Sequence, residues 1–437
     1  MTRRSSIAVG FLALILVGAI LLSSPWARTD GQWGGWLDAL FTSCSAVCVT
    51  GLSTVDVGSA FTRAGQAVVL ALVEVGCLGL MTCSTFLLVA VGRRLSLSRE
   101  FSLMNAYGVA GVHGLRGLIL WVVGSMLVLE GVGATLLYLR FRAWYPSVFY
   151  AVMSFCNAGF GLSPDSLAGF AGDPFVLFAL AAEAILGGVG FLVLYNLCTY
   201  RFRRGRSGGR GRLSLHSAVV LRFTLYLLAL TFLAFLAFEW NGALKGFAPL
   251  RKLSVAFYQA VTPRTCGFTV VPTEALQALT VNVYEALMFI GGGPGSAAGG
   301  IKVTTLAVLV YTLRAMCRGE TETVISRRTV SADVVRESFV IVCAMLAFIW
   351  LVNGALSLTE AGRGLDGGAL FFEAISAVTT TGLSLGDTTA RLSPAGRVVI
   401  MCAMFFGRLG ALTVVLMIGD RESKRYVRFP GEELVVG

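Results

Sequence analysis

The sequence predicts an all-α integral membrane protein built from four covalently linked helix–pore-helix–helix repeats in pseudo-fourfold arrangement around one axis. Two observations carry that class. The chain of 437 residues is 56% hydrophobic and 14% charged, with mean hydropathy +0.78, a balance that belongs in a bilayer and not in a soluble domain. In addition, one short segment recurs four times, as FTSCSAVCVTGL, FYAVMSFCNAGF, FYQAVTPRTCGF and FEAISAVTTTGL, around Gly51, Gly159, Gly267 and Gly382. Each copy has a Phe ten residues before the glycine (Phe41, Phe149, Phe257, Phe372) and a Leu or Phe directly after it. The glycines recur at intervals of 108, 108 and 115 residues, the signature of a repeated structural unit.

Taken in order, apolar windows of bilayer length fall near 7–25, 65–91, 114–138, 174–200, 217–238, 277–313, 337–357 and 394–419. They form four pairs that flank the four segments. Repeat 1 is read as 1–92 (pore segment 36–53) and repeat 2 as 93–204 (145–161). Repeat 3 is 205–318 (250–269, with an inner helix broken over 289–305), and repeat 4 is 319–437 (368–384) with a short C-terminal tail. Each intervening segment is too short to span and suits a re-entrant half-helix. Irregular backbone persists at membrane depth only where protein or a water-filled cavity surrounds it. The inner helices carry glycine pairs in similar register: Gly76 and Gly79, Gly187 and Gly190, Gly292 and Gly295, Gly407 and Gly410. Small residues at this spacing let helices approach closely in lipid. The offset of the second pair by three residues is read as a longer outer loop.

The N-terminal stretch (Arg3, Arg4, an apolar run, then SSPWA) also has the form of a cleaved signal peptide. Cleavage would deprive the first repeat of a helix the other three keep, so it is read as a span. Ten cysteines lie scattered, several within spans, and read as small buried side chains instead of a disulfide framework. Cys44 and Cys48 have the i, i+4 spacing of a metal pair, but with His113 and His216 the only histidines, no ligand set completes it.

The net charge of +11 is explained by loops. Basic residues concentrate at the N-terminus, around 93–99, in RFRRGRSGGRGRLSLH at 201–216, over 314–328 and in the tail. Fewer (Lys245, Arg251, Arg264, Arg397 among them) fall on the opposite side. The positive-inside bias places both termini in the cytoplasm and the glycine turns outward. A nucleic-acid surface is not needed, and the basic loops are expected to meet anionic headgroups or a partner protein.

The turns carry the chemistry. A half-helix that ends near mid-membrane aims its carbonyl end, the negative end of its dipole, at the centre. The residues that follow are Val49–Thr50–Gly51, Asn157–Ala158–Gly159, Thr265–Cys266–Gly267 and Thr380–Thr381–Gly382. Their carbonyls, those of Thr50, Ala158, Cys266 and Thr381 above all, are placed to replace the hydration shell of a cation, as in a potassium filter. Glycine supplies left-handed backbone and leaves the axis open. The second element is the break FIGGGPGSAAGGIKVTT, whose six glycines and Pro294 cannot hold a helix. A phosphate-binding P-loop is excluded, because Ile301 stands at the lysine position and Val303 after Lys302. A flexible plug below the turns fits, with Gly291, Gly292, Gly293, Pro294, Gly295, Ser296, Gly299, Gly300 and Lys302 as gating residues. Arg408 in FFGRLGALT, costly inside a membrane, is expected to hold this loop or a carboxylate. Glu74, Glu130, Glu183 and Glu373 are intramembrane acids whose partners the sequence does not show.

FCNAGF, the TCGF after Thr-Pro-Arg, TTTGL, GGGPGSAAGGIK and FFGRLGALT together resemble the Trk/Ktr/HKT superfamily of potassium transporters, across essentially the whole chain. One helix before the first pore segment makes it more similar to the Ktr membrane subunits than to the longer Trk type. The resemblance implies one potassium pathway per subunit, filter glycines at Gly51, Gly159, Gly267 and Gly382, a gating loop at 291–300, and Arg408 beneath the filter. It further implies a homodimer on a cytoplasmic ring of nucleotide-binding RCK subunits of the KtrA/TrkA kind, the nucleotide belonging to that partner. Cys266 replaces the more usual alanine, and Gly293 and Ala297 stand where hydroxyl residues are common. No cofactor is expected on the chain itself beyond K+, or Na+.

The expected function is gated potassium uptake through a bacterial plasma (inner) membrane. A potential of −100 mV supplies about 2.3 kcal/mol per cation without any ATP chemistry in this chain. A sodium- or proton-coupled carrier of the same fold is the alternative within transport. A membrane enzyme would need a cluster of histidines, acids or nucleophiles that the sequence does not offer.

Overall fold

A computed structural model describes the backbone of residues 3–93, 114–206 and 213–410, and the side chains of 8–79, 120–199 and 213–410. The basic positions assigned to the cytoplasm at 94–113, 207–212 and in the 411–437 tail lie outside the described residues. The described residues are mostly helical, with almost no strand. Repeat 1 comprises α1 (Arg3–Leu22), the short α2 (Trp36–Val47), a single turn α3 (Val57–Ala60) and α4 (Arg63–Arg93). Repeat 2 follows with α5 (Gly114–Phe141), the short α6 (Trp144–Phe155), α7 (Pro174–Val189) and α8 (Phe191–Arg206). Repeat 3 has α9 (Leu215–Glu239), the short α10 (Pro249–Val261), α11 (Ala278–Phe289) and α12 (Val303–Cys317). A two-residue hairpin, β1 (Val324–Ile325) with β2 (Arg328–Thr329), leads into repeat 4. That repeat holds α13 (Ala332–Thr359), the short α14 (Gly367–Thr379), the turn α15 (Thr388–Arg391) and α16 (Pro394–Leu409).

Among the described residues three helices are long and apolar enough to cross a membrane: Leu120–Phe141, Leu215–Glu239 and Ala332–Thr359. A pair of helices, Pro174–Val189 and Phe191–Thr199, passes the same test only when taken together across a bend of 96°. The chain is therefore a multi-pass membrane protein. Lipid tails are as apolar as leucine, so helix association here comes from close packing and hydrogen bonds instead of from hydrophobic burial. Both are visible. The methyl that Gly76 lacks would lie 2.2 Å from Val47 O, and those of Gly187 and Gly407 1.8 Å from Phe155 O and 2.0 Å from Val378 O. Each carbonyl lies four residues before its repeat's marker glycine, so the inner helix touches the end of the short helix at the same place three times.

Polar ties join the outer and inner helices of each repeat at one end. Thr62 Oγ1 donates to Trp26 O at 2.7 Å. Arg140 pairs with Asp173, which itself caps α7. Glu239 accepts from Gln277 N at 2.8 Å and from Thr280 Oγ1 at 2.5 Å. Glu360 accepts from the backbone and hydroxyl of Ser393, the N-cap of α16. Buried polar groups in a membrane need such partners.

Two expectations need correction. The window 174–200 is not one continuous helix: it breaks at Gly190, whose φ of 95° and ψ of 145° lie outside the helical range. The shift of the Gly187 and Gly190 pair does reflect a longer outer loop: 15 positions separate Gly159 from Pro174, against 12 from Gly51 to Arg63 and from Gly382 to Pro394. In repeat 3, Gly292 does not pack on a short-helix carbonyl like its counterparts. It lies in the segment between α11 and α12, where a methyl on it would meet Gly188 O at 2.4 Å.

Candidate functional site

All four short helices end on left-handed backbone two residues before the marker glycine. Val49, Asn157, Thr265 and Thr380, each two residues before its marker glycine, have φ of 54°, 56°, 66° and 50°. The glycines themselves have φ of 93°, 67°, 78° and 86°. In three repeats the backbone forms a Schellman cap. Thr50 N donates to Ser45 O (2.8 Å), Ala158 N to Met153 O (2.9 Å) and Thr381 N to Ser376 O (2.9 Å). Inside each, Val49 N, Asn157 N and Thr380 N donate to Ala46 O, Ser154 O and Ala377 O. The third differs, with Cys266 N donating to Thr262 O at 3.1 Å. A β-branched residue in left-handed conformation is a true outlier and costs on the order of 1–3 kcal/mol. Three of the four turns (Val49, Thr265, Thr380) carry one, so the conformation is imposed by the surroundings.

Those surroundings are the other turns. A methyl on Gly51 would lie 2.1 Å from Ala158 O, and one on Gly159 would lie 3.2 Å from Cys266 O and 2.9 Å from the Cα of Gly267. On Gly267 it would lie 2.7 Å from Thr381 O, and on Gly382 2.1 Å from Thr50 O. The contacts run from repeat 1 to 2, 2 to 3, 3 to 4 and 4 back to 1. Each glycine abuts the carbonyl that precedes the next repeat's glycine, and the circle closes. Four helix C-termini, each carrying about half a negative charge, thus meet around a ring of backbone oxygens. The flanking Leu52, Phe160, Phe268 and Leu383 are buried behind it, as are Phe41, Phe149 and Phe372; Phe257 is half-buried.

One face of the ring opens into a cavity of about 560 Å³ lined by the four glycines. Its carboxylates are Asp56, Asp165, Glu274 and Asp387, one from each repeat, and among the described residues no lysine, arginine or histidine lines it. In the loop before α2, Arg28 hydrogen-bonds Asp30 and lowers that carboxyl to about 2.

Against the opposite side of the ring lies the 290–302 segment. Ile290 and Ile301 bridge its ends, with Gly291 N donating to Ile301 O at 3.0 Å. Gly299 sits beneath the fourth turn, where a methyl would meet Thr379 O and Thr380 Oγ1, both at 2.2 Å. Arg408 Nη1 donates to Ala297 O at 2.6 Å, and Lys302 Nζ to Ala298 O at 2.6 Å. So Arg408 meets the loop itself and, among the described residues, no carboxylate. Gly291, Gly292, Gly293, Pro294, Gly295, Ser296, Gly299 and Gly300 all belong to this one compact segment, with Ala297 and Ala298 buried in it.

Three contributors were missed from sequence. Gly293 N donates to Gly188 O (2.8 Å), Ala297 N to Gly187 O (3.2 Å), and Phe191 N to Gly295 O (3.2 Å). The break at Gly190 frees these backbone groups, so the loop of repeat 3 is stitched to the break in repeat 2. Glycines 187, 188 and 190 were the available signal. Arg264, assigned above to the outer side, is instead buried at 8% exposure and donates to Gly291 O at 3.2 Å. It stands where repeats 1, 2 and 4 carry Cys48, Cys156 and Thr379. Of the intramembrane acids, Glu373 takes the Thr389 hydroxyl, and Glu183 packs over Gly133.

The family described as "TrkH: Cation transport protein" matches residues 7–428. The Ktr system potassium uptake protein B of Bacillus subtilis is 34% identical over 440 residues, spanning 99% of this chain and 96% of that one. The potassium/sodium uptake protein NtpJ of Enterococcus hirae is 33% identical, over 99% of this chain and 96% of its own. The crystal structure of the potassium transporter TrkH from Vibrio parahaemolyticus superposes with a TM-score of 0.71 at 18% identity, covering 94% of this chain and 85% of that one, which shows the shared fold. With a family match over nearly all its length and relatives above 30% identity along its whole extent, the chain belongs to the TrkH family of cation transport proteins, which are transporters and not enzymes.

Proposed function

We propose that the chain is a gated potassium uptake subunit whose four turns form one selectivity filter, with K+ held by the carbonyls of Thr50, Ala158, Cys266 and Thr381. The observation that supports this reading is the closed circle of glycine-to-carbonyl contacts at the C-terminal ends of four half-helices. A cation there exchanges water for backbone oxygen. The acidic cavity is the outer mouth, drawing cations in by its field. The 291–300 segment is the gate, since it lies across the path beneath the fourth turn and is held by Arg408, Lys302 and Arg264.

The relatives named for potassium uptake support the ion, and their description as a Ktr system supports partner subunits. The assembly we infer is a homodimer in a bacterial inner membrane, termini inside, on a cytoplasmic RCK ring that binds the regulatory nucleotide. Expression in cells lacking potassium uptake tests the function: the chain should restore growth at low potassium, and Gly159→Asp should abolish it. Rescue that survives this substitution sinks the filter. A sodium-coupled carrier is the second reading, favoured by the potassium/sodium relative. Rubidium uptake that requires external sodium would select it.

A further inference from the structure

A cluster unrelated to the ring lies between repeats 1 and 2, at the depth where the short helices end. Glu74 on α4, Glu130 on α5 and Cys156, the residue after α6, bring one oxygen each and a sulfur within 4.8 Å of one another. Cys156 Sγ lies 3.7 Å from Glu130 Oε1. A carboxyl oxygen of Glu74 lies within 4.8 Å of one of Glu130, and Cys77 stands one helical turn along α4 from Glu74. Cys77 and Cys156 are fully buried and Glu130 is 4% exposed, whereas Glu74 is half-buried and leaves the cluster open on one side.

Two adjacent carboxyls at such burial cannot both stay ionised without a cation between them. A shared proton satisfies the carboxyls alone and gives the two thiols no role. A tetrahedral ion with metal–oxygen bonds of about 2.0–2.2 Å and a metal–sulfur bond of about 2.3 Å has ligand edges of about 3.3–3.8 Å by the same geometry, close to the sulfur–oxygen spacing present. Mixed carboxylate and thiolate donors select a borderline-soft divalent ion over magnesium or calcium. We propose that Glu74, Cys77, Glu130 and Cys156 form a binding site for a divalent cation of the zinc–cadmium class, which staples repeat 1 to repeat 2 behind the second turn. The assignment does not depend on the transport reading.

The test is cadmium titration of the purified full-length chain at neutral pH, read by thiolate-to-metal charge-transfer absorption. Cys83, Cys198, Cys317, Cys343 and Cys402 are replaced by serine beforehand to remove competing thiols. One cadmium per chain should bind, the band should vanish in the Cys77→Ser/Cys156→Ser double variant, and Glu130→Gln should weaken binding at least about tenfold. Should the double variant fail to fold, Glu74→Gln, farther from the turn, must show the same weakening. Absence of a band in the parent, or a band undiminished in these variants, overturns the site and leaves a shared proton between the carboxyls.

Discussion

Arg397 of the last repeat donates through Nη1 to Asp38 of the first at 2.7 Å, and this ion pair fastens the two ends of the chain together around the axis. Thr54 Oγ1 adds a bond to the same carboxylate at 2.8 Å, and Arg397 Nη2 also donates to Ala390 O at 2.9 Å. At the neighbouring seam Tyr145 donates to Gln66 at 2.7 Å, again joining the start of a short helix to the start of the preceding repeat's inner helix. The four turns can meet only if the seam between repeats 4 and 1 holds.

That seam gives the first prediction. Arg397→Ala removes a part-buried charged donor that serves three acceptors, a loss of about 1.5–3 kcal/mol. Asp38→Asn keeps the Thr54 bond and should cost less. Thermal unfolding in detergent should show that ranking, and equal losses would mean that the whole contribution of Arg397 runs through Asp38 and none through its backbone acceptors.

Ring packing gives the second. Alanine at Gly51 or Gly382 puts a methyl 2.1 Å from a neighbouring carbonyl, on backbone with φ near 90°. Alanine at Gly124 or Gly354, where no atom lies within 4 Å, should be harmless. Rubidium uptake should fall at least about tenfold for the first pair, the effect of roughly 1.4 kcal/mol or more, with expression retained. Similar rates for both pairs would dissociate the ring from transport.

The cavity gives the third. Asp165→Asn and Glu274→Gln remove two of its four charges without touching a helix cap, and should raise the apparent KM about two- to tenfold at low ionic strength through loss of steering. Added salt should shrink the difference, because screening reaches about 10 Å at 0.1 M. An effect on maximal rate alone would point to the filter and not its approach.

The gate gives the fourth. Alanine at Gly190 puts a methyl 2.7 Å from Pro294 O, on backbone with φ of 95°, and should unpick the stitches from Gly187 and Gly188. Passive rubidium flux into vesicles without any partner protein should rise. Unchanged or lower flux would show that the stitched loop does not restrict the path.

How much of this the sequence held depends on the kind of signal. Glycine position was legible, because each turn needs left-handed backbone at the same place and residue spacing survives duplication. Which turn touches which was not, since the order around the axis is fixed by packing among distant helices. The break at Gly190 escaped notice because small residues in a membrane helix read equally as packing sites. Arg264 misled for a related reason: a cation beside a turn looks external until the loop carbonyl that receives it is known. The Glu74–Glu130 pairing joins two helices whose facing sides no periodicity reveals.

Rubidium located by anomalous scattering in crystals of the protein tests the central claim most directly. The account predicts a peak on the axis of the ring, flanked by the carbonyls of Thr50, Ala158, Cys266 and Thr381, that vanishes in Gly159→Asp. Rubidium bound elsewhere, with none at the ring, would contradict it.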